Sequence, residues 1–105
     1  MKNYVLVYRG GLQFKSPAEG AKHMAKWRAW VQGLGKASVN MGTPFANSRV
    51  VSSAGVSKDG GSPPLTGYSV VKAGTQAAAL RMAQACPHLD IGGSIVVAEA
   101  MEMEM

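Results

Sequence analysis

Residues 2–9, KNYVLVYR, alternate along their length, with Tyr4, Leu6 and Tyr8 on one side and Val5 and Val7 on the other. A period of two predicts a strand. Both of its faces carry apolar side chains, so both need cover. Gly10-Gly11 ends the run, and Ser16-Pro17-Ala18-Glu19 then signals a helix start. Ser16 suits the N-cap, Pro17 the first helical position, and Glu19 completes a capping box three residues on. The helix is expected from about Pro17 to Leu34, with Gly35 as its stop. One face of it carries His23, Trp27, Trp30 and Leu34 at i, i+4, i+7 and i+11, flanked by Met24 and Val31. Two indoles on one stripe predict packing against a sheet. Lys22, Lys26 and Arg28 fall on the opposite, solvated side.

Residues 37–43 read as a second strand that stops near Thr43-Pro44, and Asn47–Ser53 as a short strand or one arm of a hairpin. Residues 54–66, AGVSKDGGSPPLT, hold three glycines and two prolines and are expected to be a mobile loop. Tyr68–Ala73 is the next strand. Thr75 caps a helix that runs to about Ala85 and is ended by Pro87, with Ala79, Leu80 and Ala83 as its core contacts. Gly92-Gly93 opens a last strand, Ser94–Glu99. The tail, residues 100–105, alternates strictly, with Met101, Met103 and Met105 on one face and Glu102 and Glu104 on the other. It reads either as a frayed end or as an edge strand docking on a partner subunit.

The resulting order, βαββαβ with an inserted hairpin, predicts an α+β, ferredoxin-like domain with two helices on one face of an antiparallel sheet. A chain of 105 residues makes one domain, residues 1–105, with only two layers. The second sheet face is then left open, and pairing it with its own copy in a homodimer covers it.

Composition narrows the class. Apolar residues make up 47% and charged residues 16%, which is a globular balance. One cysteine excludes an internal disulfide and suits a reducing compartment. No stretch reaches the roughly 20 apolar residues of a membrane span, and the N-terminus lacks a long apolar leader, so a cytoplasmic protein is expected. The formal charge of +5 raises nucleic acid as a partner. The basic residues are scattered, however, without the concentrated face that such binding needs, so nucleic-acid binding is not expected.

Two histidines carry the candidate chemistry. His88 and Asp90 share the turn after the second helix, where a carboxylate can orient an imidazole as a general base. The competing reading has His88 bonded to carbonyls and Asp90 capping the turn. His23 shares a face with Trp27 and Trp30, at the mouth of an aromatic-lined pocket or simply part-buried with one nitrogen satisfied. Tyr8, Arg9 and Tyr68 lie on strands and are further candidates for lining a ligand site. Cys86 ends a helix and reads as structural. No H-x-H, H-x-x-x-H or C-x-x-C spacing is present, and the Gly60-Gly61 loop lacks a Walker lysine, so no metal or cofactor is expected.

Several segments together resemble the YCII-related family, including its DGPF-containing branch, within the dimeric α+β barrel superfamily. They are YVLVYRGG at residues 4–11, the run Met24–Trp30 followed by Leu34-Gly35, Gly67–Ala73, and Cys86-Pro87-His88-Leu89 with Gly92-Gly93-Ser94-Ile95. The resemblance covers nearly the whole chain and is weakest across residues 44–66. It implies a homodimer that forms a barrel, and for some similar domains a histidine–aspartate pair acting on ring compounds. Other similar domains accompany transcription regulators. The DGPF tetrapeptide is reduced here to Asp59-Gly60-Gly61-Ser62, and Val96–Ala100 lacks the arginine and proline of many relatives. Two readings follow: a small-molecule-binding or enzymatic domain with an acid/base histidine, or a non-catalytic dimeric regulatory or interaction module.

Overall fold

The structure is a computed structural model, described here for residues 1–102. Strand β1 (Lys2–Arg9) lies between two antiparallel neighbours that both come from the far end of the chain, β5 (Leu65–Ala73) and β6 (Ser94–Glu99). Strand β2 (Ser38–Pro44) adds to the other edge of β5, giving the sheet order β2-β5-β1-β6. Two helices, α1 (Pro17–Leu34) and α2 (Gln76–Gln84), complete an α+β domain. Between β2 and β5, β3 (Val51–Ser52) and β4 (Gly55–Val56) pair as a separate hairpin.

Alternation in β1 sorts the two faces. Tyr4, Leu6 and Tyr8 stand opposite Val71, Ser69 and Gly67 of β5, while Leu6 and Tyr8 also face Val97 and Ile95 of β6. This inner face is the core, with Tyr4, Leu6, Val71 and Ala73 buried. Both helices pack here: α2 through Ala79 and Ala83, α1 through Trp27, Trp30 and Leu34. The alanines let α2 approach the sheet closely. Leu80 corrects the sequence reading, since it is exposed; Ala79 and Ala83, four residues apart, take the inward stripe and turn Leu80 outward.

The α1 start follows its signals closely. Ser16 accepts from the Glu19 N–H at 3.3 Å. The Glu19 carboxylate accepts from the Lys15 N–H at 2.9 Å, one residue before the capping-box position. Gly35, with φ of 56°, ends the helix.

The outer face is also apolar. Val5 faces Val70 and Ala98, and Val7 faces Tyr68 and Val96, by the same register. Phe45 stacks on Tyr68 with ring centroids 5.8 Å apart, extending this patch past the end of β2. Among the described residues both helices lie on the other side of the sheet. At the β2 edge, Gly42 has φ of 76° and a Cβ there would fall 1.5 Å from the Tyr68 carbonyl oxygen. Only glycine lets β2 bulge across β5 at this point.

Residues 54–66, expected as a mobile loop, contain β4, a turn at Asp59 and the first residues of β5. The Asp59 carboxylate accepts from the Gly61 N–H at 3.0 Å, and Gly60 is buried against Ser48. Of the tail, the Ala100 N–H donates to the Asn3 carbonyl at 2.9 Å, continuing the β1–β6 ladder, and Met101 is exposed. Residues 103–105 of that expectation lie outside the described residues. No helix among the described residues is long and apolar enough to cross a membrane.

Candidate functional site

Three elements converge at the C-terminal end of β1. The strand delivers Tyr8 to the inner face, α1 lays Trp27 and His23 over it, and the turn Pro87–Ile91 after α2 inserts His88. Their rings form a continuous chain. Phe14 meets His23 at 5.0 Å, His23 meets Trp27 at 6.1 Å, and Trp27 meets both Tyr8 at 5.1 Å and Trp30 at 5.3 Å. Tyr8 in turn meets His88 at 5.2 Å. The Trp27 contacts with Tyr8 and Trp30 are edge-to-face, the favourable arrangement for aromatic quadrupoles.

Among the described residues no fully buried side-chain nitrogen or oxygen lacks a hydrogen-bond partner. The Tyr8 hydroxyl donates to Ser69 Oγ at 2.8 Å, and Ser69 Oγ donates to the Met41 carbonyl at 2.8 Å. Burial raises the Tyr8 pKa above the ordinary tyrosine value, against the opposing pull of Ser69, so the phenol remains a proton donor. The Trp30 indole N–H donates to the Met82 carbonyl at 3.0 Å, tying α1 to α2. Burial also pushes the Cys86 thiol up to about 11, so at neutral pH it is protonated and not a nucleophile.

The two histidines are held differently. His88 is buried, and its Nε2 lies 2.9 Å from the Arg9 carbonyl oxygen. A carbonyl only accepts, so that nitrogen carries a proton. Gly93 and Gly11 press against the ring, and a Cβ on Gly93 would sit 2.1 Å from Nε2. His23 instead accepts the Trp27 indole N–H at Nε2, at 2.7 Å. Its neutral ring therefore bears its proton on Nδ1. Burial lowers the His23 pKa; His88 and Lys26 add to the effect and Asp90 opposes it.

This lowering has a testable sign. The unfolded chain takes up the His23 proton first, at about pH 6.5. The contribution to stability is therefore complete above that value and declines as pH falls through it toward the lower folded pKa. Urea midpoints measured across this window should fall more steeply for the wild type than for His23→Gln. Parallel curves for the two proteins would contradict the burial of the His23 ring.

The remaining candidates go elsewhere. Among the described residues no hydrogen bond or ion pair joins His88 to Asp90, so the sequence-adjacent pair is not assembled as a dyad. Asp90 points across to Lys26 at 3.7 Å, with both side chains exposed. Pro87–Ile91 forms a 3-10 turn that sends the two side chains in different directions. Arg9 serves the cluster through its carbonyl, while its guanidinium donates to the Pro63 carbonyl at 3.4 Å. Tyr68 is on the outer face, separated from Trp27 by the sheet. A pocket between α1 and the sheet was expected, but packed rings occupy that space. A groove of about 540 Å³ lies between α1 and the end of α2, lined by Trp30, Leu34, Met82 and Pro87 together with Lys26 and Asp90.

Sequence reasoning missed Ser69, Phe14, Gly11 and Gly93. Ser69 shares the parity of Val71 and Ala73, which would have placed its hydroxyl in the core. Gly93, as the second of a glycine pair beside His88, hinted at a close approach. Phe14 carried no signal. No protein-family model matches this chain, and no curated protein matches it.

Proposed function

We propose that this chain is a homodimeric, ferredoxin-like module of the YCII-related kind, in which two sheets close face to face as an α+β barrel, and that it serves as a non-catalytic interaction or regulatory module. The observation that carries this reading is the outer sheet face, where Val5, Val7, Tyr68, Val70 and Val96 adjoin with neither helix above them. Contiguous apolar surface of this kind marks an association site. A second copy presents the same surface, and a two-fold axis makes it self-complementary. The non-catalytic role is supported by the histidines: each has its Nε2 committed to a partner within the chain, and Asp90 is paired with Lys26.

Sedimentation velocity tests the assembly. The wild-type protein is expected to run as a dimer, and Val7→Glu to raise the dissociation constant at least about tenfold with unchanged circular dichroism. A wild-type monomer across the micromolar range would sink the reading.

One observation favours the enzymatic alternative. With the Trp27 N–H held at Nε2 and the ring neutral, the Nδ1–H of His23 is left to donate to a bound molecule. Native mass spectrometry separates the two readings. A small molecule retained by the wild-type protein and lost from His23→Gln supports a ligand site at His23; a bare dimer in both supports the interaction module.

A further inference from the structure

We propose that His23 and Trp27 form a proton-operated latch: the neutral imidazole holds the N-terminal half of α1 against the end of β1, and protonation of the ring lets that half lift. The reason lies in what α1 rests on. His23, at 9% exposure, is the only fully buried residue of this 18-residue helix. From Pro17 to Lys26 every other residue except the half-buried Gly20 is exposed, Met24 at 51% among them. An amphipathic helix ordinarily plants leucine or isoleucine at such a point, and no change of pH dislodges those. Here the first half of the helix is anchored by a side chain that titrates near neutrality.

The bond to Trp27 makes the anchor conditional. The indole N–H donates to His23 Nε2 at 2.7 Å. An indole nitrogen only donates, and an imidazolium offers no acceptor. Protonation therefore sets two donors head to head, and turning the ring over brings no relief because both nitrogens then carry hydrogen. The indole has to leave, and its edge contact with Tyr8 at 5.1 Å goes with it. Phe14 lies against the same imidazole at 5.0 Å, and a Cβ on Gly20 would be 3.6 Å from the Phe14 ring. The second half of α1 is held separately, since the Trp30 N–H donates to the Met82 carbonyl at 3.0 Å and Leu34 packs on the core. The helix thus has a fixed end and a releasable one. What opens is the wedge where Tyr8, Trp27 and His88 meet.

The charges around the ring set when it opens. The turn Pro87–Ile91 brings His88 and Asp90 toward it, and α1 contributes Lys26. His88 and Lys26 resist a positive imidazole; Asp90 favours one but is engaged with Lys26 at 3.7 Å. Strand β1 presents Tyr8, whose hydroxyl is bonded to Ser69, and Arg9, whose guanidinium is at the Pro63 carbonyl. Glu19, one turn earlier on α1, accepts from the Lys15 N–H at the helix start. Among the described residues no carboxylate is paired with His23, so the closed form binds the proton poorly and the latch opens on the acid side of about pH 6.5. The Lys26–Asp90 pair is exposed and too weak to hold the helix down alone.

Hydrogen exchange followed by NMR on the full chain tests this, with the two indole signals told apart by Trp27→Phe. A released half-helix frays, because fewer than about 12 residues are marginal in water. Protection of the Trp27 indole N–H and of amides 21–26 should therefore fall below about pH 6.5, by up to about tenfold per pH unit and at least about threefold in all. The Trp30 indole and amides 28–34 should keep theirs. The Trp27 signal and the His23 ring signals should titrate with one midpoint. In His23→Gln, whose amide oxygen accepts an indole N–H but takes up no proton in this range, protection should stay flat. Trp27 protection unmoved through the His23 titration overturns the latch, and so does an equal loss in His23→Gln. A loss shared equally by residues 28–34 overturns it too, since the whole helix would then be leaving. Should the glutamine variant fail to fold, the comparison of Trp27 with Trp30 in the wild type decides alone.

Discussion

Gly93→Ala is expected to destabilise the protein by about 3 kcal/mol or more, the range of overpacking combined with a broken buried hydrogen bond. The added methyl would sit 2.1 Å from His88 Nε2. His88 has no room to retreat, because Gly11 bounds the ring from another side and Tyr8 lies against it. Moving the imidazole would strip the Arg9 carbonyl of its donor in a buried setting, which itself costs about 1–3 kcal/mol. Gly74→Ala is the matching control, since no heavy atom lies within 4 Å of its added Cβ. Urea unfolding should place that variant within about 0.5 kcal/mol of wild type. Comparable midpoints for the two alanine variants would mean that His88 is not seated as described.

Trp27→Ala should cost about 3 kcal/mol, at the lower end for tryptophan truncation because the ring is only half-buried. Trp27 is nonetheless the hub of the cluster. It makes edge contacts with Tyr8 and Trp30 and donates to His23. Trp27→Phe separates these roles, keeping an aromatic edge while removing the donor, and should cost about 1 kcal/mol. Equal losses for alanine and phenylalanine would assign the effect to the hydrogen bond alone. A wild-type melting curve for Trp27→Ala would refute the packing of α1 on the sheet through this face.

Elements with local signals were legible in the sequence. The limits of β1, α1 and β6 agree with their expected spans, because alternation, the Ser16–Glu19 start, Gly35 and Gly92-Gly93 are all short-range features. The face assignment of Tyr4, Leu6 and Tyr8 followed from parity alone. Local reasoning failed where partners are distant. Asn47–Ser53 reads as a short strand or one arm of a hairpin, and the arm it forms is confined to Val51–Ser52, whose partner is the two-residue β4. Tyr68 was grouped with Trp27 and Trp30 as a wall residue, yet strand parity already set it opposite Ser69. The His88–Asp90 pairing rested on adjacency, whereas the bond His88 makes spans 79 positions to Arg9. Of the two histidines and four aromatics offered for the site, the fold brings together His23, His88, Tyr8, Trp27 and Trp30 but not Tyr68.

The position of β1 has a consequence for how the chain is made. Strand β1 finds its first sheet partner, β5, only when residue 65 and beyond have been made, and its second, β6, only after residue 94. Until then its backbone groups and its tyrosines have no native neighbours. Helix α1 can form early from its own capping signals, but the surface that its indoles cover does not yet exist. The sheet therefore closes late and nearly all at once, dominated by contacts between the two ends of the sequence, which is the topology associated with slower folding. A nascent chain stalled anywhere before β5 holds its most apolar strand unpaired, and has no way to hide it except in the company of other proteins.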